Sequence, residues 1–436
     1  VIKNSTIFEL DGWPGLIKSL PMALQHLVAM IVGCVTPALI ISQTAGLSPS
    51  DSVILVQSAL IGAGISTLIQ LFPLFRRLGS GLPVIMGVSF AYLSSMQSIT
   101  ADFGLAAVFG AQIAGGFIAV LVGLAVRKIR FLFPPLITGT VVFTIGLSLY
   151  PTAINYMAGG VGSPTFGAWQ NWAIAFATLA VVTILNHYGN GMLKLASILS
   201  GIIFGYVLAL LFGMVDFTPV AEASFLQMPK IGYFGIRFEL SSCLALGLLF
   251  AINSIQAIGD FTATTVGGLS RQPEDEELQG GIVGYGISNM INAVLGGLPT
   301  ATYSQNVGIV STTKVVNRMT LSLTAGMLLL SGFVPKISAL LTTIPQCVLG
   351  GATVSVFASI AMTGMKLVVS EPMNYRNSSI VGLSAALGMG FSQSAAVLST
   401  LPDWFVMIFA RSPVVIATIV AVLLNILLPN KEDRLM

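Results

Sequence analysis

The chain has 436 residues, of which 55% are hydrophobic and only 8% charged, with a net charge of +3. An average soluble domain carries about 25% charged residues, and mean hydropathy here reaches +0.92. These values exclude a soluble enzyme, give no basis for binding nucleic acid, and predict a polytopic membrane protein.

Taken in chain order, polar Lys3-Asn4 and Asp11-Gly12 precede the first apolar run, so no cleavable signal peptide is expected. Apolar segments then centre at about residues 31, 62, 90, 115, 141, 179, 204, 249, 288, 310, 325, 355, 384 and 418. This predicts an all-α protein with 14 transmembrane segments. The segments near 90 and 310 are short, glycine-bearing and polar at their middles. With the N-terminus in the cytoplasm, fifteen cations fall inside: Lys3, Lys18, Arg76, Arg77, Arg127, Lys128, Arg130, Lys194, Arg271, Lys314, Arg318, Lys366, Arg376, Lys431 and Arg434. Only Lys230, Arg237, Lys336 and Arg411 fall outside. That asymmetry predicts an even number of spans with both termini cytoplasmic. The acidic run Glu274-Asp275-Glu276-Glu277 reads as a solvated loop face, and His187 as a solvated loop residue. Cys34, Cys243 and Cys347 lie far apart in apolar runs, as buried small hydrophobes. No metal-ligand spacing is present, and no cofactor is expected.

Two short matches recur at nearly one offset, close to half the chain. Gly81-Leu82-Pro83 returns as Gly297-Leu298-Pro299, 216 residues on. Pro134-Pro135-Leu136-Ile137-Thr138-Gly139 returns as Pro345-Gln346-Cys347-Val348-Leu349-Gly350, 211 residues on. Seven spans per half is an odd number, so the halves should be inverted, a plan common in secondary transporters. The substrate is then expected where the two broken helices meet at the midplane. Pro breaks each helix ladder. Extended pieces are expected at Val84-Ile85 and at Thr300 to Tyr303, pairing with each other to satisfy groups that lipid cannot. Half-helices should follow, from Ser89 or Phe90 and from Gln305 or Asn306. Their N-termini offer free N–H donors and a partial positive charge to one pocket.

His26, Gln256, Asp260, Gln305 and Asn306 are polar groups within predicted spans. An ionisable side chain at this depth costs about 2.5–3.5 kcal/mol on the insertion scale, so Asp260 is read as functional: an ion site, a proton relay or a brace of the ligand site. His26 is read either as a clamp between helices or as a proton carrier. The amides of Gln256 and Gln305 suit the edge of a planar heterocycle. Phe90 and Tyr303 stand beside the two breaks, where aromatic faces suit a flat ring.

The run from Gln305 to Lys314 closely resembles the signature of the nucleobase/ascorbate transporter family, also called nucleobase:cation symporter 2. That signature is Gln, Glu or Pro, then Asn-x-Gly, four free positions, Thr, and Arg, Lys or Gly. Gln25-His26 looks like the family's first-span motif, and Gly259-Asp260 with Ala263 resembles its eighth-span pattern Glu-x-x-x-Gly-Asp-x-x-Ala. The resemblance implies a core domain at 20–127 and 237–334, a gate domain at 128–236 and 335–430, dimerisation through the gate and an elevator mechanism. It implies proton symport across a bacterial inner membrane. Gln at the first motif position goes with purine carriers, so a xanthine-like oxopurine is implied. Gln305 would hydrogen-bond the base, backbone groups near Ser89, Phe90 and Ser304 would add contacts, and Phe90 and Tyr303 would stack on it. Asn306 and Thr313 would brace the motif helix. Two positions depart from the pattern: Gln256 stands where Glu is usual, and Tyr285 where purine carriers usually have Asp. His26 and Asp260 remain as titratable candidates, and coupling to protons is expected to be weak.

Four alternatives remain at this point, one of them a channel, from which flux that saturates with substrate would distinguish a carrier. A uracil permease of the same family is disfavoured by Gln305. An anion exchanger of related architecture is disfavoured by the Gln-Asn motif and the short tail after Asn430. A membrane enzyme would need a nucleophile with a base, or a metal cluster, and no such cluster stands out.

Overall fold

The computed structural model describes residues 6–75, 78–129, 134–394 and 413–428. Lys3, Arg76, Arg77, Arg130, Arg411, Lys431 and Arg434 from the charge argument lie outside the described residues. The protein is mostly helical. The helices used below are α1 (Leu16–Thr44), α2 (Pro49–Leu71), α3 (Leu93–Phe103), α4 (Leu105–Ile129), α5 (Pro135–Met157), α6 (Trp169–Tyr188), α7 (Ser197–Leu211), α8 (Leu240–Thr264), α9 (Asp275–Val294), α10 (Ser304–Thr313), α11 (Arg318–Phe333), α12 (Gln346–Val368), α13 (Tyr375–Gln393) and α14 (Pro413–Leu427). Short helices at Met192–Leu195, Thr218–Glu222 and Pro335–Thr342 connect them. Two strands, β1 (Met86–Val88) and β2 (Thr300–Thr302), complete the set.

By length and apolarity alone, six helices among the described residues suffice to cross a bilayer: α1, α2, α4, α5, α12, and α8 with its extension to Leu269. A seventh arises if α11 and Pro335–Thr342, bent by 82° at their junction, count as one span. The other predicted centres fall on shorter or more polar helices. α3 and α10 have 11 and 10 residues, about 15 Å each, half of a hydrocarbon core about 30 Å thick. Helix length by itself therefore does not produce fourteen crossings.

The helix starts are written in local chemistry. Ser48 caps α2 by accepting from Asp51 N at 3.2 Å, and Pro49 fills the first turn, where no N–H is needed. Asn317 caps α11 by accepting from Thr320 N at 3.0 Å. The acidic run, expected as a loop face, instead starts α9. Glu274 and Glu277 form a reciprocal capping box, and Arg271 donates to both Glu277 oxygens at 2.8 and 2.5 Å. Carboxylates belong there because the free N–H groups at a helix start carry partial positive charge. His187 is exposed, but it lies in the last turn of α6, with Nδ1 2.9 Å from Thr183 O.

The two extended pieces pair antiparallel, with Met86 opposite Thr302, Gly87 opposite Ala301 and Val88 opposite Thr300. Val84 and Ile85, expected to lie in the first strand, precede it: Val84 N turns back onto Leu82 O at 2.8 Å, and Ile85 O accepts from Tyr303 N at 3.0 Å just before the ribbon. The short ribbon would leave two edges unpaired. Thr67 of α2 closes one: its hydroxyl accepts from Met86 N at 3.0 Å and donates to Met86 O at 3.2 Å. Asn289 of α9 closes the other: its amide accepts from Thr300 N at 2.7 Å and donates to Thr300 O at 3.0 Å.

α5 packs closely against α12. Gly364 lets the backbones touch, since a Cβ there would stand 2.2 Å from Phe143 N and 2.7 Å from Gly139 O. Small residues at a helix crossing are the usual basis of packing in lipid. Gly364→Ala should destabilise the detergent-solubilised protein by about 1–3 kcal/mol through overpacking, read as a lower melting temperature. Gly382→Ala, inside α13 with nothing within 4 Å, should not lower it and should add up to about 1 kcal/mol of stability through helix propensity.

Candidate functional site

Both breaks open onto one cavity of about 340 Å³, within the usual range for small-molecule sites. One wall consists of Val28, Ala29, Val32 and Gly33 of α1, Val88 to Ala91 of the first break, Gln256 of α8, and Thr302 to Gln305 of the second break. The opposite wall consists of Val142 and Ile145 of α5, Ile198 of α7, and Val356, Ser359, Ile360, Thr363 and Lys366 of α12.

Six residues predicted for ligand binding, Ser89, Phe90, Gln256, Tyr303, Ser304 and Gln305, all line this cavity. Ser89 caps a 3-10 turn at Phe90–Tyr92, its hydroxyl accepting from Ala91 N at 3.2 Å. α10 begins at Ser304 without a side-chain cap; Asn306 N and Val307 N donate to Tyr303 O at 3.0 and 3.1 Å, which leaves the N–H groups of the cavity residues Ser304 and Gln305 for a ligand. Among the described residues neither the Gln256 nor the Gln305 side chain has a hydrogen-bond partner, and Gln305 is exposed into the cavity. Each amide keeps a donor and an acceptor free for a ligand. Phe90 meets Phe357 of α12 edge to face, with centroids 5.1 Å apart. Tyr303 is fixed by its hydroxyl, which donates to Val88 O at 2.7 Å. Gly87 gives its ring room, since a Cβ there would stand 2.5 Å from Tyr303 Cε2.

The supporting candidates stand behind this lining. Asp260 is buried on α8 and takes hydroxyls on both oxygens: Thr302 Oγ1 on Oδ2, and Ser304 Oγ on Oδ1 at 2.9 Å. It joins the α8 backbone to the start of α10. Asn306 Nδ2 donates to His26 O at 3.1 Å and lies 3.0 Å from His26 Nδ1, which ties α10 to α1. Tyr285 of α9 shares a hydrogen bond between hydroxyls with Tyr92, and its ring packs 5.6 Å from Phe250. Thr313 does not line the cavity: at the far end of α10 its hydroxyl donates to Ile309 O at 2.8 Å and accepts from Val315 N at 3.3 Å.

The residues that sequence reasoning missed lie on the opposite wall. Ser359, Thr363 and Lys366 follow helical spacing on α12, a polar stripe within an apolar span. That stripe was the available signal, and Lys366 was read only as a cytoplasmic charge. Thr302 was expected only as strand, yet it is a ligand of Asp260.

Asp260→Ala should leave two buried hydroxyls without their acceptor, at about 1–3 kcal/mol. Asp260→Asn keeps an acceptor and should lose less. Melting of the two variants without ligand gives the order; equal melting of Asp260→Ala and the unaltered protein would remove the bracing role.

A family model described as "Permease family" matches residues 17–397. The chain is 33% identical to the xanthine permease XanP of Escherichia coli (strain K12), over 99% of this chain and 96% of that one. It is 34% identical to the uric acid permease PucK of Bacillus subtilis (strain 168), over 95% and 96%. Among solved structures, the transmembrane domain of a cyanobacterium bicarbonate transporter, BicA, superposes with a TM-score of 0.60 at 18% identity, over 93% of this chain and 97% of that one; this likeness concerns the fold. The chain is thus a multi-pass membrane protein and not an enzyme, and it belongs to the permease family of the xanthine and uric acid permeases.

Proposed function

We propose that the protein is a secondary carrier that moves an oxopurine of the xanthine or uric acid type across a bacterial inner membrane, with both termini in the cytoplasm. The observation that carries this reading is the pair of free amides, Gln256 and Gln305, in one cavity with the uncapped start of α10. An oxopurine edge alternates N–H donors with carbonyl and ring-nitrogen acceptors. Two amides and a row of backbone N–H groups match that alternation, and Phe90 and Tyr303 supply the flanking rings. The relatives named for xanthine and uric acid support the same class.

The mechanism we infer is an elevator built on fourteen segments in two inverted sevens. Its support is the pattern of packing. α2 packs on α11 as α9 packs on α4, α1 on α11 as α8 on α4, and α6 on α7 as α13 on α14. Each half thus repeats the other's neighbours. The core unit, 20–127 with 237–334, carries the Gln256 and Gln305 wall. The gate unit, 128–236 with 335–430, carries the α5, α7 and α12 wall. A substrate held at their boundary would travel with the core past a gate that dimerises with its copy.

Proton coupling is weak in this reading. Gln256 does not titrate, the Tyr285 hydroxyl is bonded to Tyr92, and Asp260 is the carboxylate nearest the cavity wall, held by two hydroxyls.

Thermal stabilisation of the purified protein tests the substrate class, because a ligand that binds only the folded state raises the melting point. Xanthine, uric acid or both should raise it, with no shift from uracil or ascorbate. Gln305→Ala should weaken purine binding by on the order of 10-fold, the loss of one or two hydrogen bonds. A shift with uracil alone would overturn the reading of Gln305. Purine added to proteoliposomes should produce little alkalinisation outside, and a strong signal would overturn weak coupling.

A further inference from the structure

The cavity has one charged side chain among its described lining residues, Lys366 of α12. It ends the stripe Ser359, Thr363, Lys366, at steps of four and three residues, so the three stand on one helix face. From Ser359 to Lys366 the helix rises about 10 Å, and Lys366 lies in the last turn of α12. The hydroxyl protons above it are turned inward: Ser359 Oγ donates to Ser355 O at 2.9 Å and Thr363 Oγ1 to Ser359 O at 2.8 Å. Their lone pairs remain towards the cavity. Lys366 is exposed, and among the described residues no carboxylate pairs with it. Asp260 does not neutralise it as a partner, since that carboxylate lies behind the opposite wall with both oxygens taken.

A lysine at the end of a span usually snorkels to the membrane surface. This one lines a ligand cavity instead. Charge of one sign in a low-dielectric cleft focuses its field and raises the local concentration of the opposite charge. Oxopurines differ in this respect: urate is a monoanion at neutral pH, while hypoxanthine is neutral and shares its bicyclic frame and much of its hydrogen-bonding edge. Gln256 and Gln305 read features common to both, so they do not discriminate by charge.

We propose that Lys366 is a specificity-determining residue that makes the cavity favour anionic over neutral oxopurines. The inference rests on the purine reading and adds the charge state of the preferred substrate. The ammonium group acts on a ligand entering or leaving along the α12 stripe, while the amides hold the ring.

Calorimetric titration of the full-length protein in detergent at neutral pH, with urate and with hypoxanthine, tests it. In Lys366→Gln the affinity for urate should fall roughly three- to fivefold, the scale of a partly exposed charge pair, with hypoxanthine unchanged. Lys366→Arg should retain the urate preference. In the unaltered protein, raising salt should weaken urate binding and leave hypoxanthine binding as it was. The salt series and Lys366→Arg decide the matter even if Lys366→Gln fails to fold. Binding of both purines with a ratio indifferent to residue 366 and to salt overturns this inference and leaves the purine reading standing. Binding of neither purine by the unaltered protein overturns the purine reading, and this inference with it.

Discussion

Everything in this site depends on how two interrupted helices satisfy their backbone groups away from water. An unpaired N–H or C=O in an apolar interior costs several kcal/mol. The protein meets that demand by pairing the two breaks with each other. It then closes the ribbon's outer edges with Thr67 on one side and Asn289 on the other. The ribbon fixes where the following helices begin. Because α10 begins at the ribbon, the N–H groups of Ser304 and Gln305 stand at the cavity, with the Gln305 side chain beside them.

The lining is a hydrogen-bonding surface with few charges. Asp260, the buried carboxylate beside it, serves the hydroxyls of Thr302 and Ser304 and so ties α8 to the ribbon and to α10. His26 and Asn306 tie α10 to α1 in the same way. Gln256 and the Tyr285–Tyr92 pair are uncharged. Such an interior favours a ligand read through donors and acceptors over one held by a fixed counter-ion. The exception, Lys366, enters the lining from α12.

Much of this was legible in the chain. Composition placed the protein in a membrane, because a chain with 8% charged residues has too little polar surface for water. The repeated Gly-Leu-Pro located both breaks, because Pro removes a donor that a helix needs. The six residues expected at the ligand all line the cavity. Less legible were elements whose state depends on partners. The acidic run became a helix start because Glu274, Glu277 and Arg271 bond to one another. The first strand began at Met86, where pairing with Thr302 begins, and not at Val84.

By itself, then, the sequence determined the membrane environment, the helical class, the two breaks and the polar side chains around them, since these follow from local composition, backbone chemistry and periodicity. Tertiary structure alone decided the register in which backbone groups pair, that Thr302 and Ser304 share one carboxylate, and that a stripe on α12 lines the same cavity as Gln256 and Gln305. Those are contacts between residues dozens to hundreds of positions apart, and no local pattern encodes which distant partner will be in reach.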